Sequence, residues 1–86
     1  MTTKAPSAVR EFSPESLEKI AYASVSTIPT EEPNDRNRLG YHIFRWIVSK
    51  QGTIEEAIMA SGSRLHISQK EAVKIIRENL QKSGVS

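Results

Sequence analysis

The side chains best suited to chemistry in this sequence form a basic stripe near its C-terminal end, made of Lys70, Lys74, Arg77 and Gln81. Their spacing of three or four residues places all of them within about 60° of one another on a helix. Ammonium and guanidinium groups in such a row suit contacts with phosphate oxygens, and a glutamine amide suits contacts with base edges. The basic stripe therefore predicts a surface that binds a polyanion, with nucleic acid as the first candidate.

Two residues just before the basic stripe extend this prediction. Arg64 precedes the helix that carries the stripe and would add a contact to the nucleic-acid backbone, and Gln69 would reach a base edge. The alternative is a solvated helix face, because Lys74 has Glu71 and Glu78 within four residues and can pair with them in the helix. At the level of sequence both interpretations stay open.

A second polar stripe lies in and around the densest apolar run, residues 39–48, and consists of Arg38, His42, Arg45 and Ser49. The run contains the only tryptophan and three of the five aromatic residues of the chain. On a helix its apolar residues spread over more than about 200°, which indicates contact with several neighbouring elements. We therefore expect a central, aromatic-rich helix whose one solvent face, the second polar stripe, is another candidate anion contact.

No set of residues in the sequence predicts catalysis or a metal site. There is no cysteine, and the two histidines, His42 and His66, have no acidic partner nearby at ligand spacing. None of the serines stands in a hydrolase motif, and the four glycines are isolated, so no glycine-rich phosphate loop is present. We expect a protein that is not an enzyme and that uses no cofactor, metal or small-molecule substrate.

Length and charge indicate one small domain with an uneven charge distribution. The formal net charge of the 86 residues is +2, but residues 1–35 hold three basic and six acidic side chains, whereas residues 36–86 hold nine basic and four acidic ones. The basic second half faces either a polyanion or the acidic first part of the same chain. Because no secretory signal and no apolar stretch of about 20 residues is visible, we expect a cytoplasmic protein without a membrane segment.

Apolar periodicity and capping signals predict an all-α fold, a small bundle of about four helices at residues 13–28, 35–51, 53–61 and 68–83. Residues 1–12 are predicted to be a disordered, flexible tail, and residues 13–84 a single helical domain with a Pro/Glu linker at 29–34. The third and fourth helices each begin with a capping box. A glycine follows each of them as a predicted stop, Gly62 and Gly84.

The order of the last three helices resembles that of helix-turn-helix domains, in which a first helix braces two others and the last enters the major groove. Ala57 and Ile67 stand ten residues apart, where that motif usually has a small and an apolar residue. The chain departs from the motif in its connection, residues 62–67, which exceeds the usual tight turn. The resemblance implies a small nucleic-acid-binding or regulatory module. The alternative is a protein-interaction or assembly module, including a homodimer, that uses an apolar helix edge at Ile75.

Overall fold

The computed structural model of the protein describes residues 12–85, and within that range the regular secondary structure is helical. The four helices are α1 (Pro14–Ser24), α2 (Pro33–Ser49), α3 (Ile54–Ser61) and α4 (Gln69–Lys82). The predicted fold class, an all-α bundle of four helices, is confirmed. The predicted tail at 1–12 lies outside the described residues except for Phe12, which is half-buried against the core.

Each helix packs mainly against two others, α1 against α2 and α4, and α3 against α2 and α4. The buried residues between them are aliphatic, and α2 contributes Leu39, Ile43 and Ile47. Of the aromatic residues on α2, Phe44 and Trp46 are half-buried and Tyr41 is 47% exposed. The aromatic side chains of α2 thus border the core, whose centre is filled by aliphatic side chains.

α1 ends at Ser24, before the predicted end at residue 28. Tight turns follow, in which the Val25 N–H donates to the Tyr22 carbonyl at 3.3 Å and the Ile28 N–H donates to the Val25 carbonyl at 3.1 Å. Val25 and Ile28 are nevertheless fully buried. The apolar period that predicted a longer helix continues through these turns, because i to i+3 turns repeat at nearly the helical interval.

α2 begins at Pro33, two residues before the predicted range of 35–51. Proline suits the first position of a helix, where its missing N–H costs no hydrogen bond. The carboxylate of Asp35 accepts the backbone N–H of Glu32 at 3.3 Å and thereby caps the helix. The last two residues of the predicted linker at 29–34, Pro33 and Asn34, therefore belong to α2.

α2 ends at Ser49, two residues before the predicted end at residue 51. Lys50 takes the left-handed conformation, with φ of 56°, and its N–H donates to the Trp46 carbonyl at 2.8 Å. The indole N–H of Trp46 then donates to the Gly52 carbonyl at 3.1 Å. Gly52 is thus part of a turn that the tryptophan holds against the end of the helix.

The capping box predicted for α3 is present, whereas at α4 only the serine half of the predicted box is formed. The Thr53 N–H donates to the Glu56 carboxylate at 2.8 Å, and the Glu56 N–H donates to the Thr53 hydroxyl at 3.1 Å. The Ser68 hydroxyl accepts the backbone N–H three residues further on at 3.1 Å. Gly62 and Gly84 have φ of 67° and 87°, the left-handed conformation that ends a helix.

Candidate nucleic-acid interface

The basic stripe borders a surface groove of about 640 Å³ along one side of α4. All four of its members line this groove, together with Glu55 from α3. The rotation of α4 is fixed because Ala72, Ile76 and Leu80 are buried against the other helices. Since side chains on a helix keep fixed angles to one another, this burial directs the basic stripe outward.

A Schellman motif closes the C-terminal end of α4. The Val85 N–H donates to the Leu80 carbonyl at 2.9 Å, and the Gly84 N–H donates to the Gln81 carbonyl at 3.1 Å. The Val85 side chain folds back and is fully buried, as is typical of this motif. The last turn of α4, which carries Gln81, is therefore held on both its backbone and its apolar side.

The cations of the basic stripe form no ion pair with any described residue. Residues 12–85 contain two ion pairs, Arg38–Asp35 and Arg64–Glu31, and neither involves α4. The pairs that the spacing of α4 permits, from Lys74 to the glutamates near it, are not formed. The ammonium and guanidinium groups of the basic stripe thus keep their hydrogen-bond donors available to an external anion.

Carboxylates nevertheless flank these cations. Glu55, Glu71 and Glu78 line the same groove as the basic stripe. The groove is therefore lined by as many acidic as basic side chains. At most three phosphate contacts fit this arrangement, one for each cation.

Arg64, predicted as a backbone contact, does not line the groove. Its guanidinium donates to the Glu31 carboxylate at 2.8 Å. This hydrogen bond and the charge of Glu31, with a further contribution from Glu32, raise the pKa of Arg64 above its ordinary value. Arg64 lies beside an acidic connection, and its charge is already balanced there.

Gln69, predicted as a base contact, is also engaged elsewhere. Its amide donates to the backbone carbonyl of Glu55 at 3.1 Å and so ties the start of α4 to α3. Gln69 lines a different depression, with Met59 and Ile67 among its walls. Of the two glutamines, only Gln81 faces the basic groove.

The second polar stripe is divided between two places. His42, Arg45 and Ser49 line a groove of about 310 Å³ between α2 and α3. Arg38 instead pairs with Asp35 at the start of α2. The three remaining members form a polar surface next to the aromatic side of α2.

Trp46 is a candidate site residue that belongs to neither of the two predicted stripes. It lines the groove between α2 and α3, and it also lines a smaller cavity of about 160 Å³ beside Arg77 and Gln81. The ammonium of Lys50 lies 5.3 Å from the centre of the indole ring. The sequence signal for this position was a lone tryptophan directly after Arg45 and one helical turn before Lys50.

The connection between α3 and α4 is fixed to the beginning of α2. The Asp35 carboxylate accepts the Arg64 N–H at 3.3 Å, and the Ser63 hydroxyl donates to the Asp35 carbonyl at 2.7 Å. Thr30 and Leu65 form an isolated antiparallel bridge. The connection is therefore longer than a helix-turn-helix turn because it pairs with the segment that joins α1 to α2.

Comparisons with models of protein families, with curated proteins and with solved structures gave no match. Within residues 12–85, no three His, Asp or Glu side chains gather as metal ligands do. None of the helices in this described range has the length and apolar character needed to cross a bilayer. The geometry of α4 and its surroundings is thus the basis for a functional proposal.

Proposed function

We propose that this protein binds nucleic acid through the basic stripe of α4. The observation that carries the proposal is the convergence of Lys70, Lys74 and Arg77 on one groove without an ion pair to any described residue. Lysine and arginine side chains in a row contact successive phosphates, which fixes the position of the ligand but not its sequence. The proposed module is not an enzyme, and a cytoplasmic location suits its lack of cysteine.

Gln81 supplies the hydrogen-bonding group of the proposed interface. It lines the groove beside the three cations, and its amide can both donate to and accept from a base edge. Arg64 and Gln69 are left out of this interface, because Glu31 and the Glu55 backbone carbonyl already hold them. Sequence selectivity is therefore expected to be low, with one base-reading side chain available.

The proposal is tested by titrating labelled duplex and single-stranded DNA at two salt concentrations. Each neutralised phosphate releases counterions, so three contacts give a plot of log affinity against log salt with a slope of about −2.7 for a duplex and about −2.1 for a single strand. Absence of binding to both forms at about 50 mM salt contradicts the proposal. Binding that does not weaken as salt rises contradicts it as well.

A second candidate function, protein interaction or self-assembly, is favoured by a different surface. Met59 is 65% exposed and lines a depression of about 390 Å³ with the half-buried side chains Leu65 and Ile67. Ile75, the residue expected at an apolar helix edge, is half-buried against the core. Sedimentation that shows a concentration-dependent dimer, lost in Met59→Gln, supports this second function. A monomer at every concentration contradicts self-assembly.

A further inference from the structure

A small cavity adjoins the basic groove near the C-terminal end of α4. The cavity has a volume of about 160 Å³ and is lined by Trp46, Ile54, Arg77, Leu80, Gln81 and Val85. Arg77 and Gln81 line both the groove and the cavity. A linear ligand that follows the cations of the basic stripe therefore brings its next group to the mouth of this cavity.

The size and walls of the cavity select the kind of group that enters it. A dry cavity of about 150 Å³ is large enough for benzene, so this one accommodates a single planar ring. Ile54, Leu80 and Val85 provide apolar walls, and none of the described residues that line the cavity is acidic. An aromatic ring is thus a better occupant than a charged or strongly hydrated group.

The indole ring of Trp46 is held in place before any ligand arrives. Its N–H donates to the Gly52 carbonyl at 3.1 Å, and the Lys50 ammonium lies 5.3 Å from the ring centre. Because the ring is already oriented, little conformational entropy is lost when a second ring stacks on it. Arg77, which lines both the groove and the cavity, also places positive charge at this end of the groove.

A ligand that combines regularly spaced negative charges with exposed planar rings satisfies both the groove and the cavity. Resting on the proposed function, we infer that the ligand is single-stranded nucleic acid, with phosphates on the basic stripe and one base stacked against Trp46 in the cavity. In a duplex the faces of the bases are covered by their neighbours, whereas an unpaired base offers a face for stacking on an aromatic side chain. Gln81 then lies where it reaches the edge of the stacked base.

The test compares an oligothymidylate with an abasic oligomer of the same length, which keeps the phosphates and lacks the bases. One stacked base is expected to make the oligothymidylate bind about tenfold more tightly than the abasic oligomer. Since Trp46 is the only tryptophan, its emission should change with the oligothymidylate and stay constant with the abasic oligomer. This readout uses the unaltered protein.

Two variants test whether the preference for the oligothymidylate over the abasic oligomer depends on the ring of Trp46. Trp46→Phe keeps an aromatic side chain and should retain the preference for bases, whereas Trp46→Leu should reduce the affinity ratio to about one. Lys82→Gln, on α4 but outside both the groove and the cavity, serves as a charge control with an unchanged ratio. Circular dichroism establishes that each variant is helical before its binding is measured.

The outcomes separate this inference from the proposed function. Equal, salt-dependent binding of both oligomers overturns the inference and leaves phosphate binding by the basic stripe intact. Tighter binding to duplex DNA also overturns it. If an acidic peptide with one phenylalanine binds more tightly than the oligothymidylate and changes Trp46 emission, the partner is a protein. If nothing binds, the inference and the proposed function both fail.

Discussion

Asp35 is the one carboxylate among the described residues that is buried, with 2% of its surface exposed. It accepts the backbone N–H groups of Glu32 and Arg64, each at 3.3 Å, and it pairs with Arg38. Its own carbonyl accepts the Ser63 hydroxyl. A single side chain thus caps α2 and holds the connection that leads into α4.

Asp35→Ala is expected to lower the free energy of unfolding by about 3 kcal/mol, because two backbone donors lose their acceptor in a water-poor site. The measurement is urea unfolding followed by circular dichroism. Glu31→Ala removes an exposed carboxylate from the neighbouring connection and is the matched control, with a much smaller expected change. Equal losses for the two variants would show that Asp35 does not organise this region.

At the scale of the helices, α1 and α2 pack closely at Gly40. A Cβ atom at this position would overlap the ring of Tyr22 on α1. An interior glycine costs a helix about 1 kcal/mol relative to alanine, so the sequence gives up helix stability at this point. The close approach of the Tyr22 ring explains why α2 contains a glycine there.

Gly40→Ala is therefore expected to destabilise the protein by about 1 kcal/mol, since the overlap costs about 1 to 3 kcal/mol and outweighs the gain in helix propensity. In the Tyr22→Ala background the overlap is absent, and Gly40→Ala should then stabilise by up to about 1 kcal/mol. Urea unfolding of the four proteins completes a double-mutant cycle. A stabilising effect of Gly40→Ala with Tyr22 present would contradict the packing.

Local signals predicted the parts of the fold that depend on neighbouring residues. The Thr53 capping box, the Ser68 cap and the basic stripe follow from spacing along one helix, and the structure has all three. The predicted end of α1 at residue 28 was wrong, because tight turns after Ser24 keep Val25 and Ile28 buried. The periodic spacing of buried apolar residues alone does not distinguish such turns from a helix.

Contacts between residues that are far apart in the sequence could not be predicted from residue spacing along one helix. Arg64 is held by Glu31, which is distant in sequence, and Gln69 by a backbone carbonyl of another helix. Trp46 was not among the predicted site residues, because the apolar content of its segment gives no information about which side of α2 the other helices leave open. The predicted site therefore differs from the structure where a tertiary partner binds a side chain, as for Arg64 and Gln69, and where packing leaves a side chain beside a groove, as for Trp46.

At the scale of the whole molecule, the charge of the proposed interface is nearly balanced. Arg64 forms an ion pair with Glu31 in the acidic connection before α2. Three glutamates border the groove that the basic stripe lines. The affinity for a polyanion is therefore limited by the carboxylates beside the stripe as much as by the number of cations. Removing one of these carboxylates should strengthen binding.

Glu78→Gln is expected to tighten the binding of a nucleic-acid strand by about two- to fivefold at low salt, because it removes a like charge from the edge of the ligand. Fluorescence anisotropy with a labelled oligonucleotide measures the change. Glu18→Gln makes the same charge change on the exposed surface of α1 and should leave the affinity nearly constant. Similar gains from both variants would indicate an effect of net charge alone.

The central claim is that the cations of the basic stripe contact phosphates, and the salt dependence of Lys74→Gln tests it most directly. For single-stranded DNA the slope of log affinity against log salt should fall in magnitude from about 2.1 to about 1.4 with the loss of one contact. Lys82→Gln and Arg64→Gln, which remove charges outside the groove, should keep the slope of the unaltered protein. An unchanged slope in Lys74→Gln, or the same fall in all three variants, would contradict a phosphate-binding stripe on α4.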